Sequence, residues 1–334
     1  MTFPIDRSNQ RALPEDYDGE VFVCDIDRTY LMTRFSSLKG LARIPFEFAV
    51  DKQSIAGMTA LLKEVRRGPG PGSRQTPLYF VSASPAQLRS VIERKLTMDG
   101  LEYDGTTFKD WLGVMRSGRV RRFREQVGFK LTALLKGRVE LPRRAHEVLI
   151  GDDLESDAEA FCVYADLVAG RLQAEEALAV LARLGVGGDD AKAIVALRQR
   201  VEPVEGVSRV LIRLERHEHA EDFLDFAPHV VACRSPLQMA MVLLDAGSIG
   251  MRGLARVAQE LLDRGRSARQ LGEELGDAVR RALTSRERAE SLLEELAREG
   301  TRLEVEQWPS VDFSWRLVRP REAGVPWTPQ ALLG

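Results

Sequence analysis

The chain is poor in the residues that build extracellular scaffolds and soft-metal sites: it has three cysteines and four histidines in 334 residues. Cys24, Cys162 and Cys233 lie far apart, each in an apolar run, with no CxxC pair and no ligand-like spacing. That removes a disulfide framework and a thiolate metal site and points to reduced, buried thiols. Neither GxxxxGK[ST] nor GxGxxG occurs, which weakens ATP or dinucleotide use. No apolar run approaches the ~18 residues of a membrane span. The opening MTFPIDRSNQRALPEDYDGE lacks the charged-then-apolar layout of a signal peptide, so a soluble, cytoplasmic protein is expected. An excess of positive charge is missing too. With 48 Lys and Arg against 50 Asp and Glu, the net charge is -2, and no nucleic-acid partner is expected. Lysine itself is scarce, eight residues against 40 arginines, with none after Lys192.

What is present is a chain 44% hydrophobic, long enough for one large or two ordinary domains and too apolar to be disordered. EVFVCD (20–25), LYFVSAS (78–84) and HEVLIGDD (146–153) are β-rich apolar runs that end in polar groups, the pattern of buried central strands. Helical spacing separates them, in SIAGMTALLKEVRR, in PAQLRSVIERKL opened by Pro85, and over 122–136. Strands alternating with helices predict a parallel sheet with right-handed crossovers. Beyond 170 come two amphipathic helices (171–203), then VSRVLIRL, AEDFLDFA and HVVACRS as strand, helix and strand, then helices. A long charged helical segment over 268–300 carries Leu271, Leu275, Val279 and Leu283 on one stripe. Two uses of that stripe stay open, packing on the parent domain and a homodimer through the C-terminal helices.

In a parallel α/β sheet ligands gather where strands end, and here all three strands end in groups able to handle an anion or a metal. Asp25 and Asp27, at i and i+2, would share a face and overhang the crevice. A close carboxylate pair is costly without positive charge beside it; alone, such a pair reads equally as a solvated turn or a helix cap. GDDLESD supplies Asp152, Asp153 and Asp157. Hard oxygen donors from two strand ends suit Mg²⁺ rather than zinc, while the same acids would also decorate a helix N-terminus. Ser82 and Ser84 end the second strand as hydroxyls able to meet an anion, though Ser82 also reads as a strand-end turn residue and Ser84 as the cap of the following helix. Lys130 reads as a site cation or a surface lysine.

The order DIDRT, a strand ending in Ser82, a lone Lys130 and then GDDLESD resembles the four-motif core of the haloacid dehalogenase superfamily. More narrowly, DIDRTYL, YFVSASP, FKLTALL and VLIGDDLESDAEAF are similar to the catalytic domain of the actin-patch phosphatidate phosphatase family. The resemblance implies a Rossmann-like α/β fold with a parallel sheet flanked by helices and no large cap. It implies a Mg²⁺-dependent phosphatase acting on phosphoric monoesters, with Asp25 as nucleophile, Asp27 as general acid and base, and Ser82 and Lys130 stabilising the phosphoryl group. Mg²⁺ would be held by Asp25, the Asp27 carbonyl and Asp152, with Asp153 or Asp157 acting directly or through water. Thr29, Ala83 and Arg28 would line the substrate crevice. Ala83, Arg28 and Asp153-Leu154-Glu155 depart from the family pattern beside the leaving-group site, so a phosphorylated lipid is one substrate class and another bulky phosphoester is a second. Arg28 is open between a contact to a second substrate anion and a surface arginine.

This reading divides the chain into an N-terminal extension (1–17), a catalytic core (18–170), a helical insertion (171–204), the remainder of the α/β core (205–265) and a helical C-terminal extension with tail (266–334). A competing class is a scaffold that keeps the fold and uses its Arg-rich C-terminal helices for partners.

Overall fold

The computed structural model describes residues 3–32, 52–116, 126–154, 156–215, 223 and 230–310. Seven strands form one sheet, in the order β1-β4-β3-β2-β5-β6-β7. They are β1 (Ile5–Asn9), β2 (Glu20–Asp25), β3 (Leu78–Pro85), β4 (Gly105–Lys109), β5 (His146–Asp152), β6 (Val207–Arg213) and β7 (Val230–Cys233). Every pair is parallel except β1 on β4, which is antiparallel. The architecture is therefore α/β with a mostly parallel, Rossmann-like sheet. β1 is a strand that the apolar pattern did not announce. IDRSN is polar and half-exposed, which an edge strand tolerates because only one side of its backbone pairs.

Alternation within the central strands divides the core. Val21 and Val23 of β2, Tyr79 and Val81 of β3, and Val210 and Ile212 of β6 face one side, with Leu149 of β5. Phe22, Cys24, Leu78, Phe80, Val148, Ile150 and Leu211 face the other. A period of two with both faces apolar is what a sheet sandwiched between helical layers requires. The first face is covered by α4 (Gln126–Glu140) and α5 (Asp157–Ala169), with α6 (Ala174–Arg183) and α7 (Gly188–Arg198) outside them. The second is covered by α1 (Met58–Arg67), α2 (Arg89–Met98), α8 (Pro236–Asp245), α9 (Met251–Asp263), α10 (Ala268–Arg280) and α11 (Arg286–Arg298). A short helix, α3 (Trp111–Arg116), follows β4.

Two local expectations change. The charged segment over 268–300 is two helices: Ala282 takes a left-handed φ of 54°, and the Ser285 hydroxyl accepts the Arg288 N–H at 3.1 Å to start α11, an N-cap geometry. Leu271, Leu275 and Val279 of its stripe are buried in the second core, so that stripe packs on the parent domain. Pro85 does not open an α-helix; it ends β3 and leads into a single 3₁₀ turn, Ala86–Leu88. All three cysteines are buried and none is in a disulfide, as their apolar contexts predicted. No described helix is long and apolar enough to cross a membrane. Apart from Phe223, the helix expected over AEDFLDFA lies outside the described residues.

Candidate active site at the carboxyl ends of the central strands

β2 lies between β3 and β5. From β2 the chain builds outward through β3 and β4, then returns to the other side of β2 at β5. The order reverses there, and the region beyond the strand ends at such a reversal is the usual ligand position in these sheets. Asp25 ends β2, Ser82 lies near the end of β3 and Asp152 ends β5. The sheet topology thus brings the three separate motifs to one place.

Asp25, Asp152 and Asp157 each offer a carboxylate oxygen within 4.8 Å of the others, and all three are buried. Lys130, on α4 and fully buried, is the cation among them: its Nζ lies 3.1 Å from Asp25 Oδ1 and also contacts Asp157 Oδ1. Three carboxylates and one ammonium leave the cluster two negative charges in excess, a costly arrangement in a buried site. Nearby Cys24 registers that field. Burial pushes its thiol well above the ordinary range, and Asp25, Asp157 and Asp152 push it in the same direction.

Asp157 begins α5, where a carboxylate is favoured by the helix dipole, and its Oδ2 accepts the Asp152 N–H at 3.1 Å. That contact needs the strand to approach closely. A Cβ on Gly151 would lie 2.5 Å from Asp157 Oδ2 and 2.7 Å from its Cβ, so only glycine fits. Asp152 is held by the Thr29 hydroxyl (3.2 Å) and the Leu154 N–H (2.7 Å). Asp153 points elsewhere: its Oδ1 accepts the Glu215 N–H at 2.8 Å, fixing the end of β6. Among the described residues, the carboxylates that cluster are those of Asp25, Asp152 and Asp157.

Asp27 is served by two hydroxyls. Ser82 Oγ and Ser84 Oγ each donate to its Oδ2 at 2.7 Å, and the Ser84 N–H donates to Ser82 Oγ at 3.0 Å. Ser84 therefore does not cap the following helix, which begins with no side-chain cap. Arg28 is in the left-handed region (φ 67°), its carbonyl accepts from Arg213, at 3.2 Å from Nε, and its guanidinium pairs with Glu215 at 2.9 Å. The Ala83 carbonyl accepts the Trp111 indole N–H at 3.1 Å.

Sequence reasoning took Ser84 for a helix cap and passed over Gly151 and Glu215. Ser84 had a signal: it stands two residues from Ser82 on a strand, the spacing that placed Asp25 and Asp27 on one face. Gly151 had one too, as a glycine at a strand end before an acid, a mark of close approach. Glu215 lies beyond β6 and carried no signal.

Donor chemistry fits a hard divalent cation. All three clustered groups are carboxylates, no histidine or thiolate joins them among the described residues, and a doubly charged ion would offset the cluster's excess charge.

Residues 21–175 match the family model described as phosphatidate phosphatase APP1, catalytic domain, a span just under half of the chain that contains every motif above. Domains of that description are phosphoric monoester hydrolases. Comparison with curated proteins and with solved structures gave no match.

Proposed function

We infer, from a chain whose residues 21–175 form a phosphatase domain of the phosphatidate phosphatase kind, that the protein is a Mg²⁺-dependent phosphomonoester hydrolase. It works through an aspartyl-phosphate on Asp25, in the manner of haloacid dehalogenase-like phosphatases, and takes a lipid phosphate such as phosphatidate. The observation that carries this reading is the buried Asp25, Asp152 and Asp157 cluster with Lys130 among its carboxylates at the strand ends.

Mg²⁺ would be held by the Asp25, Asp152 and Asp157 carboxylates, with the Asp27 carbonyl as a further donor. When bound, it would lower the repulsion between an anionic nucleophile and an anionic phosphate and polarise the phosphoryl group. Asp153, occupied with Glu215, supports the site by fixing the neighbouring strand end.

Each remaining step falls to a side chain. A carboxylate oxygen of Asp25 attacks phosphorus; the bond to the leaving oxygen breaks as the new O–P bond forms. Lys130, 3.1 Å from Asp25, stays close as charge moves from the carboxylate onto the transferring group. Asp27 gives the leaving oxygen a proton, and then takes one from the water that hydrolyses the acyl phosphate. Ser82 donates to a phosphoryl oxygen, and Thr29 keeps Asp152 oriented.

The reading is tested by measuring phosphate release from phosphatidate in mixed micelles and from p-nitrophenyl phosphate, with Mg²⁺ and with EDTA, for wild type and Asp25→Asn. Wild type should release phosphate only with the metal, and Asp25→Asn should lose the activity. Equal rates for the two proteins, or no hydrolysis of any phosphoester, would sink the reading. Activity on soluble phosphoesters with none on phosphatidate would remove the lipid assignment alone.

A further inference from the structure

We propose that Ser84 is a positioning residue for the reaction: it holds the Asp27 carboxyl toward the leaving group while the Ser82 hydroxyl turns to the phosphoryl oxygen. The proposal rests on the mechanism of the preceding section.

Three features place Ser84 there. First, Ser82 and Ser84 donate to the same oxygen, Asp27 Oδ2, each at 2.7 Å. One donor would suffice to fix a carboxyl, yet both are fully buried, and a buried hydroxyl has few other places to put its hydrogen bond. Second, the local backbone is built to aim both. The register of β3 on β4 shifts between Ser82 and Pro85; such bulges recur beside active sites because they redirect side chains. Pro85 follows directly, and a residue before proline is held out of the helical region, so Ser84 stays extended on the Ser82 side of the strand. Third, the two hydroxyls are not equivalent. Ser82 Oγ also accepts the Ser84 N–H at 3.0 Å, which anchors its oxygen and leaves its hydrogen free to swing.

The consequence is a division of labour. When a phosphoryl group enters, Ser82 can transfer its donated bond from Asp27 to a phosphoryl oxygen, and Asp27 remains held by Ser84. Held through Oδ2, the Asp27 carboxyl can present Oδ1 to the leaving oxygen as the O–P bond to Asp25 forms and the bond to the leaving group breaks. The proton on Asp27 passes to that leaving oxygen.

The distinguishing readout is the dependence on leaving group. An alkoxide leaves only with a proton, whereas p-nitrophenolate needs little help. We expect Ser84→Ala to lower kcat/KM for an alkyl phosphate by about 10- to 100-fold, part of the usual size of general-acid assistance. For p-nitrophenyl phosphate it should fall less than about threefold, by the same reasoning. A merely structural defect would lower both alike, so an equal loss, or no loss on the alkyl ester, overturns the proposal. Those results with an inactive Asp25→Asn leave the phosphatase reading standing. Wild type inactive on both esters overturns the phosphatase reading and the Ser84 role with it.

Discussion

Lys130→Met is the substitution whose cost follows most directly from the site. Met has nearly the length of the lysine stem, so packing against the first core changes little, but the ammonium disappears from between Asp25 and Asp157. Three buried carboxylates then face one another without that ammonium. Removing one partner of a buried ion pair costs about 3–5 kcal/mol. At an unfolding entropy of about 2.1 cal/mol/K per residue, a chain of 334 residues shifts by about 1.4 °C per kcal/mol, so the metal-free variant should melt at least about 4 °C below wild type. Mg²⁺ should return part of the loss, because it enters the same carboxylates, so its thermal shift should be larger in the variant than in wild type. Phosphate release should stay low with Mg²⁺ present, since the metal does not supply the separate ammonium that follows the charge from Asp25 onto the transferring group. Differential scanning fluorimetry with and without Mg²⁺ reads all of this, and Arg144→Met serves as control. Arg144 pairs with Asp18 at 3.7 Å on the surface, where a pair contributes little. If Lys130→Met melts with wild type in EDTA, or if Mg²⁺ shifts neither protein, the charge account of the cluster is wrong.

Gly151→Ala should disable the site without touching a charged group: its Cβ would fall 2.5 Å from Asp157 Oδ2, so Asp157 must move, and both the Mg²⁺-induced thermal shift and phosphate release should drop sharply. On the far face, burial would raise the Asp277 carboxyl, but Arg281, Arg280, Gln238 and Arg234 outweigh it and hold it below the ordinary range. A depressed carboxyl stabilises the fold above its unfolded pKa and loses that stabilisation as pH falls through the folded one. Urea midpoints of wild type and Asp277→Asn should therefore differ at pH 7 and converge as pH drops below about 4; a gap unchanged down to pH 3 would contradict the arrangement. The thiols should be slow toward alkylating reagents in the native protein, since burial raises Cys24 and pushes Cys233 up to about 12. Rapid labelling without denaturant would contradict the packing.

Most of the parallel sheet was legible because its strands are buried on both faces. EVFVCD, LYFVSAS and HEVLIGDD read as apolar runs however they are oriented, and the acids that stop them were the site. β1 was illegible for the opposite reason: an edge strand of IDRSN has no apolar face to display, and its place is decided by pairing with β4. The break after Arg280 was hidden by composition, since charged residues continue through it, although Ser285 is a usable cap. Within the site, residue identity was legible and hydrogen bonding was not. Ser84 before Pro85 reads as a helix cap in one dimension, although its strand spacing from Ser82 also allows the contact with Asp27 that it makes. Asp153 and Asp157 were equivalent as letters, and the close approach at Gly151 brings Asp157 into the cluster while Glu215 occupies Asp153.

The central claim is that Asp25 carries the phosphoryl group. Quenching a steady-state reaction of wild type with Mg²⁺ and a phosphomonoester, then reducing with borohydride, converts an aspartyl-phosphate to homoserine at the modified position, which peptide mass spectrometry locates. The account predicts homoserine at residue 25, dependent on substrate and Mg²⁺. Turnover with an unmodified Asp25, or homoserine at any other aspartate, would contradict it.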